Sequence, residues 1–483
     1  MNRVTQLTVV LCASACQLLG DIGDRELASR EAGSAGAETG GLGGNIGGSA
    51  GTSGSDASLG GGSGGAGVNG HVQSKLFGND RISLLTDLAV DRTTNELVIT
   101  GHFEEVLAFG NGTAPLQGDI IGGDFYVARL DSDFVAIWAR VVNGVAVQQA
   151  LVAEAPNRGT VFGITPTGSM TLGPGFVFSD SSSDADILVA LYTSDGGVEW
   201  AKRFGGDQIQ ALHGLDMSEQ GIALIGTTAE PLDFGGTTQP LPPSAFLVVL
   251  DASGNAIWAR GFPGCPELQL LGVAWAPDGD LAITGKVQGS CDLGDGIVLP
   301  SEAGDVARCF AARIEAQVLT WAVEGGEEHC LGADVAFGPD SQMAIAGQFY
   351  GLFPRISKSQ SLGADAYAVA WDVNGQKLWT YTQLLPGTDT LSSLDFDPNG
   401  DAVVSGVFES GFLAAKISGS DGSTTWSASF PPIYAFAADS RVAFDGSGAI
   451  IVAGTLAKPI DFGGGVLDPG VESDDLFLVK YAP

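Results

Sequence analysis

Six cysteines, four histidines, eight tryptophans and a set of Asp-rich turns are the residues of this 483-residue chain best equipped for chemistry. The turns Asp251–Gly254, Asp278–Asp280 and Asp397–Asp401 put carboxylates in tight loops, and Asp180, Asp184 and Asp186 form the densest acidic stretch. Calcium takes six to eight converging oxygens, usually several carboxylates from one loop. No D-x-D-x-D-G string is present, so turn chemistry accounts for most of these aspartates. Calcium stays open only at Asp180, Asp184 and Asp186, and no other metal or cofactor is expected. His71, His102, His213 and His329 lack metal-ligand spacing. His102 and His213 fall on or near inner strands and could line a channel. No G-x-S-x-G elbow, P-loop or H-E-x-x-H occurs, and no catalytic residue is assigned.

Cys265, Cys291, Cys309 and Cys330 cluster in one quarter of the chain. In an exported protein four such cysteines suggest two disulfides, with three pairings formally open. Flanking positions around one hairpin favour 291–309 and 265–330. Cys16 has a different context. It follows Arg3, an apolar segment from Leu7, and Ala13-Ser14-Ala15. That arrangement reads as a secretory signal. It also resembles a bacterial lipoprotein signal, in which Cys16 would be acylated.

The elements that position these residues come from a repeat. An apolar strand, a tight turn and a second strand bearing Trp recur at Trp138, Trp200, Trp258, Trp321, Trp379 and Trp426, at intervals of 62, 58, 63, 58 and 47 residues. Such rings are expected to pack between blades rather than to bind ligand. A second landmark, a strand closing on Gly, recurs seven times: Gly101, Gly163, Gly226, Gly285, Gly347, Gly406 and Gly454. Eight residues after four of these glycines stand Phe109, Phe234, Leu293 and Phe462, each followed by Gly. Each unit reads as four short strands with Gly, Asp and Asn turns. In the first unit these are about 86–90, 96–102, 125–130 and 137–141. Sheets this small cannot bury their own faces and must stack on one another. The prediction is an all-β, seven-bladed β-propeller of four-stranded blades.

The chain's ends support a closed ring. The last unit stops after its third strand and lacks a Trp strand. At the start, Ser74–Asp80 matches Ala201–Asp207, the tail of a Trp strand, with Gln73 at the Trp position. The N-terminal strand is therefore expected to complete the C-terminal blade. The third strand of the fourth unit (308–314) reads as eroded, and the sixth unit lacks the loop between its second and third strands.

These motifs resemble a bacterial seven-bladed β-propeller repeat family (SBBP-like repeats), whose units read roughly D-x-F-V-x-K-L-D-x-x-G-x-x-x-W, then G-G, then a strand closing on V-T-G. Asp124–Trp138, Ala245–Trp258 and Asp365–Trp379 carry the first part. The resemblance implies secretion and a seven-bladed ring, and no defined activity. The Trp spacing is also similar to the docking repeat of quinoprotein dehydrogenases, but their adjacent Cys pair is absent.

The expected organisation is a signal over 1–16, a Gly/Ser-rich disordered linker over 17–70 and a propeller over 71–483. A linker of roughly 40 flexible residues reaches about 35 Å. The net charge of −34 argues against nucleic acid and anionic membrane as partners. Membrane contact would come only through a Cys16 anchor. The reading is a monomeric, secreted or surface-anchored binding or scaffold module for an extracellular protein or polysaccharide. The competing class is an extracellular hydrolase or lyase acting on polymer at the central channel.

Overall fold

The computed structural model describes residues 70–483 except 79–80, 111–112, 120–122, 147–149, 156–158, 180–183, 266, 301–306, 326–329, 351–363, 384–387, 409–410, 431–439 and 471–472. The expected signal, the linker up to residue 69, Cys16, Asp180 and His329 lie outside the described residues. Only strands and turns occur among the described residues, and no helix there could cross a membrane.

Seven antiparallel four-stranded sheets follow one another. Blade 1 comprises Ser83–Asp91, Glu96–Phe103, Asp124–Leu130 and Ala136–Ala146, running from the axis outward. Its last strand continues five residues past the sequence expectation, because the hairpin of Pro166–Gly173 and Phe176–Phe178 pairs with that extension. Innermost strands of successive blades pack against each other, and that of blade 7 packs against that of blade 1. The ring is therefore closed. Second and third strands are buried along almost their whole length, as in Glu96–Phe103 and Asp124–Leu130, because neighbouring blades cover both faces. That is why these strands read as continuous apolar runs.

Blade 7 consists of Arg441–Phe444, Ile450–Leu456, Asp475–Tyr481 and, as its outermost strand, His71–Phe77. The N-terminal strand pairs in antiparallel register from Gln73↔Lys480 to Phe77↔Leu476. It leaves no open edge on the third strand.

The recurring aromatic eight residues past the glycine landmark plugs the seam between blades. Phe109 packs on Phe77 of the preceding blade and Tyr126 of its own, at 5.3 and 5.8 Å between ring centres. Phe234 sits likewise between Phe204 and Phe246, both at 5.1 Å. Phe462 lies between Phe430 and Phe477, at 4.8 and 4.7 Å. The Phe-Gly pairs ending the outer strands have their own explanation. A Cβ at Gly78 or Gly205 would lie 2.0 or 1.8 Å from the carboxylate of Asp475 or Asp186, the acidic residues at the next strand's start.

Two expectations need correction. The disulfides join Cys265 to Cys291 and Cys309 to Cys330, not 291–309 and 265–330. Register is the reason. Cys309 lies opposite Lys286, whereas Cys291 has moved into a small side hairpin opposite Leu299. The two therefore do not meet, and each bonds into the connection on its own side of the blade. The third strand of blade 4 is also intact, running Arg308–Glu315 in full register. Its polar look comes from Arg308 and Arg313, which are 0% and 2% exposed. Arg313 donates to Asp278 at 3.0 Å and to Asp280 at 2.7 Å.

The bridges close loops with sequence separations of 26 and 21 residues, each worth about 3 kcal/mol on the chain-entropy account. Reduction is expected to lower the melting temperature. The mass gain on alkylation checks that both bridges opened, and an unchanged melt of the reduced protein would contradict a contribution of that size.

Candidate functional site

Around the axis, the innermost strands enclose a cavity of about 750 Å³ that reaches the turns at Ser218–Gln220 and Pro277. The strands around it share a repeated irregularity. A bulge interrupts the innermost strand at Thr86, His213, Leu271, Ala333 and Ser392 in blades 1, 3, 4, 5 and 6. An extra residue there turns side chains towards the next blade. Thr86 Oγ1 donates to Ala150 O at 2.8 Å, His213 Nδ1 to Leu270 O at 3.1 Å and Ser392 Oγ to Ser440 O at 3.1 Å.

Four aspartates supply the complementary acceptors. Asp87 Oδ2 accepts from Val152 N at 3.0 Å, Asp216 from Trp275 N at 2.7 Å, Asp334 from Leu394 N at 2.8 Å and Asp395 from Phe444 N at 2.8 Å. In every case the acceptor lies on one blade and the amide on the next. The second oxygen of Asp216, Asp334 and Asp395 accepts from the following residue's own amide at 2.8 Å. These carboxylates hold neighbouring blades together at the axis.

Among the described residues the cavity is bordered by seven carboxylates, Asp87, Asp91, Glu154, Asp216, Glu219, Asp334 and Asp395, and by two guanidiniums, Arg92 and Arg441. Arg441 pairs with Asp87 at 3.1 Å, and Arg92 pairs with Asp395. Arg129, behind the wall, holds Glu154 at 3.2 Å and Asp91 at 3.6 Å. Asp216 and Asp334 make no ion pair among the described residues. They stand on blades 3 and 5, flanking blade 4, whose Trp275 also lines the cavity.

Burial pushes Asp334 up to about 7, Asp216 up to about 6 and Glu154 up to about 7, the last despite Arg129. Burial also raises Asp87, with Arg441 offsetting part. A carboxyl raised in the folded state contributes stability that is present at low pH and lost as pH rises through its folded value. Burial lowers His213, and its contribution runs the other way, lost as pH falls below 6.5. Asp334 and Glu154, both raised to about 7, outweigh one imidazole between pH 5.5 and 8, because each pH unit separating folded from unfolded titration is worth ~1.4 kcal/mol. The melting temperature is expected to be several degrees higher at pH 5.5 than at pH 8. A flat or inverted profile would count against the buried state of these groups.

Apart from His213, the described residues singled out in the sequence sit elsewhere. Trp138 is 4% exposed and donates from Nε1 to Ser194 O of blade 2 at 2.9 Å, stacked on Tyr192. Trp200 donates to Ala252 O at 2.8 Å and Trp321 to Val373 O at 3.0 Å, again on the next blade. Trp258 packs in the core between blades 3 and 4, Trp379 between blades 5 and 6, and Trp426 against Tyr481.

The Asp-rich turns bind their own chain. Asp251 Oδ1 accepts from Ser253 N at 2.9 Å and Asn255 N at 2.8 Å. Asp397 accepts from Asn399 N at 2.8 Å and Asp401 N at 2.9 Å, with Lys416 on its other oxygen at 2.8 Å. Asp186 receives Arg203 Nε at 2.5 Å. Among the described residues no group of three His, Cys, Asp or Glu, Asp184 included, is arranged to hold a metal ion. His102 lies buried against Phe125 on the second strand of blade 1, away from the cavity, whereas His213 lines it. His71 packs edge-on to Tyr481.

No family model matches the chain. The regulatory protein FlaEY of Caulobacter vibrioides is 28% identical over 211 residues, covering 42% of this chain and 22% of that protein. The chain thus spans less than a quarter of that relative's length. Among solved structures, the polysaccharide lyase Uly1 aligns with a TM-score of 0.47 at 9% identity, over 86% of this chain and 99% of that one. A fungal alcohol oxidase in complex with copper gives 0.41 at 12%, over 86% and 76%. The β-propeller domain of the Trilobed protease from Pyrococcus furiosus gives 0.39 at 10%, over 77% and 88%.

Proposed function

We propose that the protein is an exported surface propeller, anchored through Cys16, that binds an extracellular protein or polysaccharide through a cationic group seated in the central cavity. The observation that carries this reading is the charge imbalance at the axis. Asp216 and Asp334 line the cavity and make no ion pair among the described residues, although the charge of Arg441 acts on Asp334, and an ammonium or guanidinium would find carboxylates in excess there. The two disulfides fit an oxidising compartment outside the cytosol.

The test is capture of partners from surface extract and soluble polysaccharide by the mature protein, with and without spermine as competitor. Partners retained by the wild type, displaced by spermine and lost with D216N/D334N support the reading. Retention that spermine and the double variant leave untouched contradicts it. Asp334, raised to about 7, favours a second reading as a general acid acting on polymer. New reducing ends or unsaturated ends released from polysaccharide by the wild type, but not by D334N, would select it.

A further inference from the structure

The seam between blade 7 and blade 1 departs from the repeat at two positions, Gln73 of the N-terminal strand and Phe134 of the turn that Gln73 bonds. At three other seams, an outer-strand Trp lies on a glycine in the turn between the third and fourth strands of the next blade. Gly196, Gly254 and Gly375 occupy that place at φ +78, +73 and +74. A Cβ there would come within 2.6, 2.9 and 3.1 Å of Trp138, Trp200 and Trp321. The indole donates to the carbonyl of the turn's second residue, and at Trp138 and Trp200 a cation two residues on clamps the glycine carbonyl, Arg140 on Gly196 at 2.8 Å and Lys202 on Gly254 at 2.7 Å.

At the seam the same bonds recur with different shapes. Gln73 stands for the Trp, and its Nε2 donates to Ser132 O, the equivalent carbonyl, at 2.8 Å. Lys75 Nζ donates to Phe134 O at 2.8 Å. Phe134 stands where the turns of blades 2, 3 and 5 have glycine and that of blade 4 has Gln317 (φ +72), at φ +59 and only 1% exposed. A bulky residue in the left-handed region costs energy and asks for a reason. Here the reason is volume. Gln73 is smaller than the Trp of the other outer strands, and the Phe134 ring adds to the buried cluster of Phe77 and Phe109 at this seam.

We propose that Gln73 and Phe134 form a key that assigns the N-terminal strand to the blade 7–blade 1 seam. In a ring of similar blades, every third strand offers an edge until its own fourth strand pairs, so a closing strand has several near-equivalent addresses. Placed at another blade, the Gln73 strand leaves a void over the turn glycine. Placed at the seam, a Trp strand drives its indole into Phe134. Both errors are penalised while the correct pairing is not, which is how one partner is chosen among look-alikes.

The test compares Q73W, F134G and Q73W/F134G in the full-length protein. Each single variant is expected to melt several degrees below the wild type, or to fail to fold. The double variant restores the repeat's own Trp–Gly pair and is expected to recover most of that loss. It is also expected to refold from denaturant with a larger fraction of misclosed or strand-exchanged species, read by size-exclusion chromatography and native mass spectrometry. Losses that simply add, or a double variant that fails to fold, would overturn the pairing. A double variant that refolds to monomer in the wild-type yield would overturn its role in choosing the address.

Discussion

Deleting His71–Phe77 leaves a protein that melts far below the intact chain and self-associates. The strand supplies Phe77, buried against Phe109, and the whole register opposite Asp475–Tyr481. Loss of one buried Phe alone costs about 3–5 kcal/mol, and several ladder hydrogen bonds at about 1 kcal/mol each go with it. The exposed third strand of blade 7 then becomes a free edge. The effect should exceed that of any single substitution in the protein. Scanning calorimetry with light scattering checks it, and a truncated protein that melts unchanged and monomeric would mean that the ring is not closed by this strand.

Replacing Trp138 by Ala should cost about 3–5 kcal/mol, because the ring joins two blades through Tyr192, Gly196 and Ser194. Trp138→Phe keeps an aromatic face on Tyr192 but loses the donor to Ser194 O and part of the ring's area, so its loss should lie between none and that of Trp138→Ala. Ile137, the neighbour on the same strand, is 45% exposed, and I137A should change stability by less than about 0.5 kcal/mol. Chemical denaturation of the three variants gives the ranking. Equal losses at positions 137 and 138 would show that the indole is not the joint between the blades.

The architecture was readable because the features that build it repeat. Seven glycine landmarks, six Trp and a truncated last unit fix the blade count and the closing strand without any knowledge of contacts. Gln73 stood out as the departure from that pattern, although its partner did not, since Phe134 in a turn looks unremarkable until its φ and burial are known. What failed was whatever depended on register. Cys291 and Cys309 flank one hairpin in the sequence but not in space, because a second, smaller hairpin intervenes. The third strand of blade 4 looked eroded because its arginines are buried against partners elsewhere in the sequence, Arg313 against Asp278 and Asp280 and Arg308 against Glu324.

The cavity was illegible for a related reason. Asp87 and Asp334 follow a bulge directly, whereas Asp216 and Asp395 lie two residues further along. No fixed spacing marks the four as a set. The Asp-rich turns, which did carry a visible pattern, proved occupied, two by Arg313 and Lys416 and the Asp251 turn by its own backbone amides.

The most direct test of the binding account is a calorimetric titration of spermine into the mature protein at pH 8, repeated at pH 5.5 and with D216N/D334N. The account predicts saturable binding of about one spermine per propeller at pH 8, weaker at pH 5.5 where Asp216 and Asp334 hold protons, and abolished in the double variant. Binding that is absent at pH 8, or that persists undiminished without those two carboxylates, would contradict it.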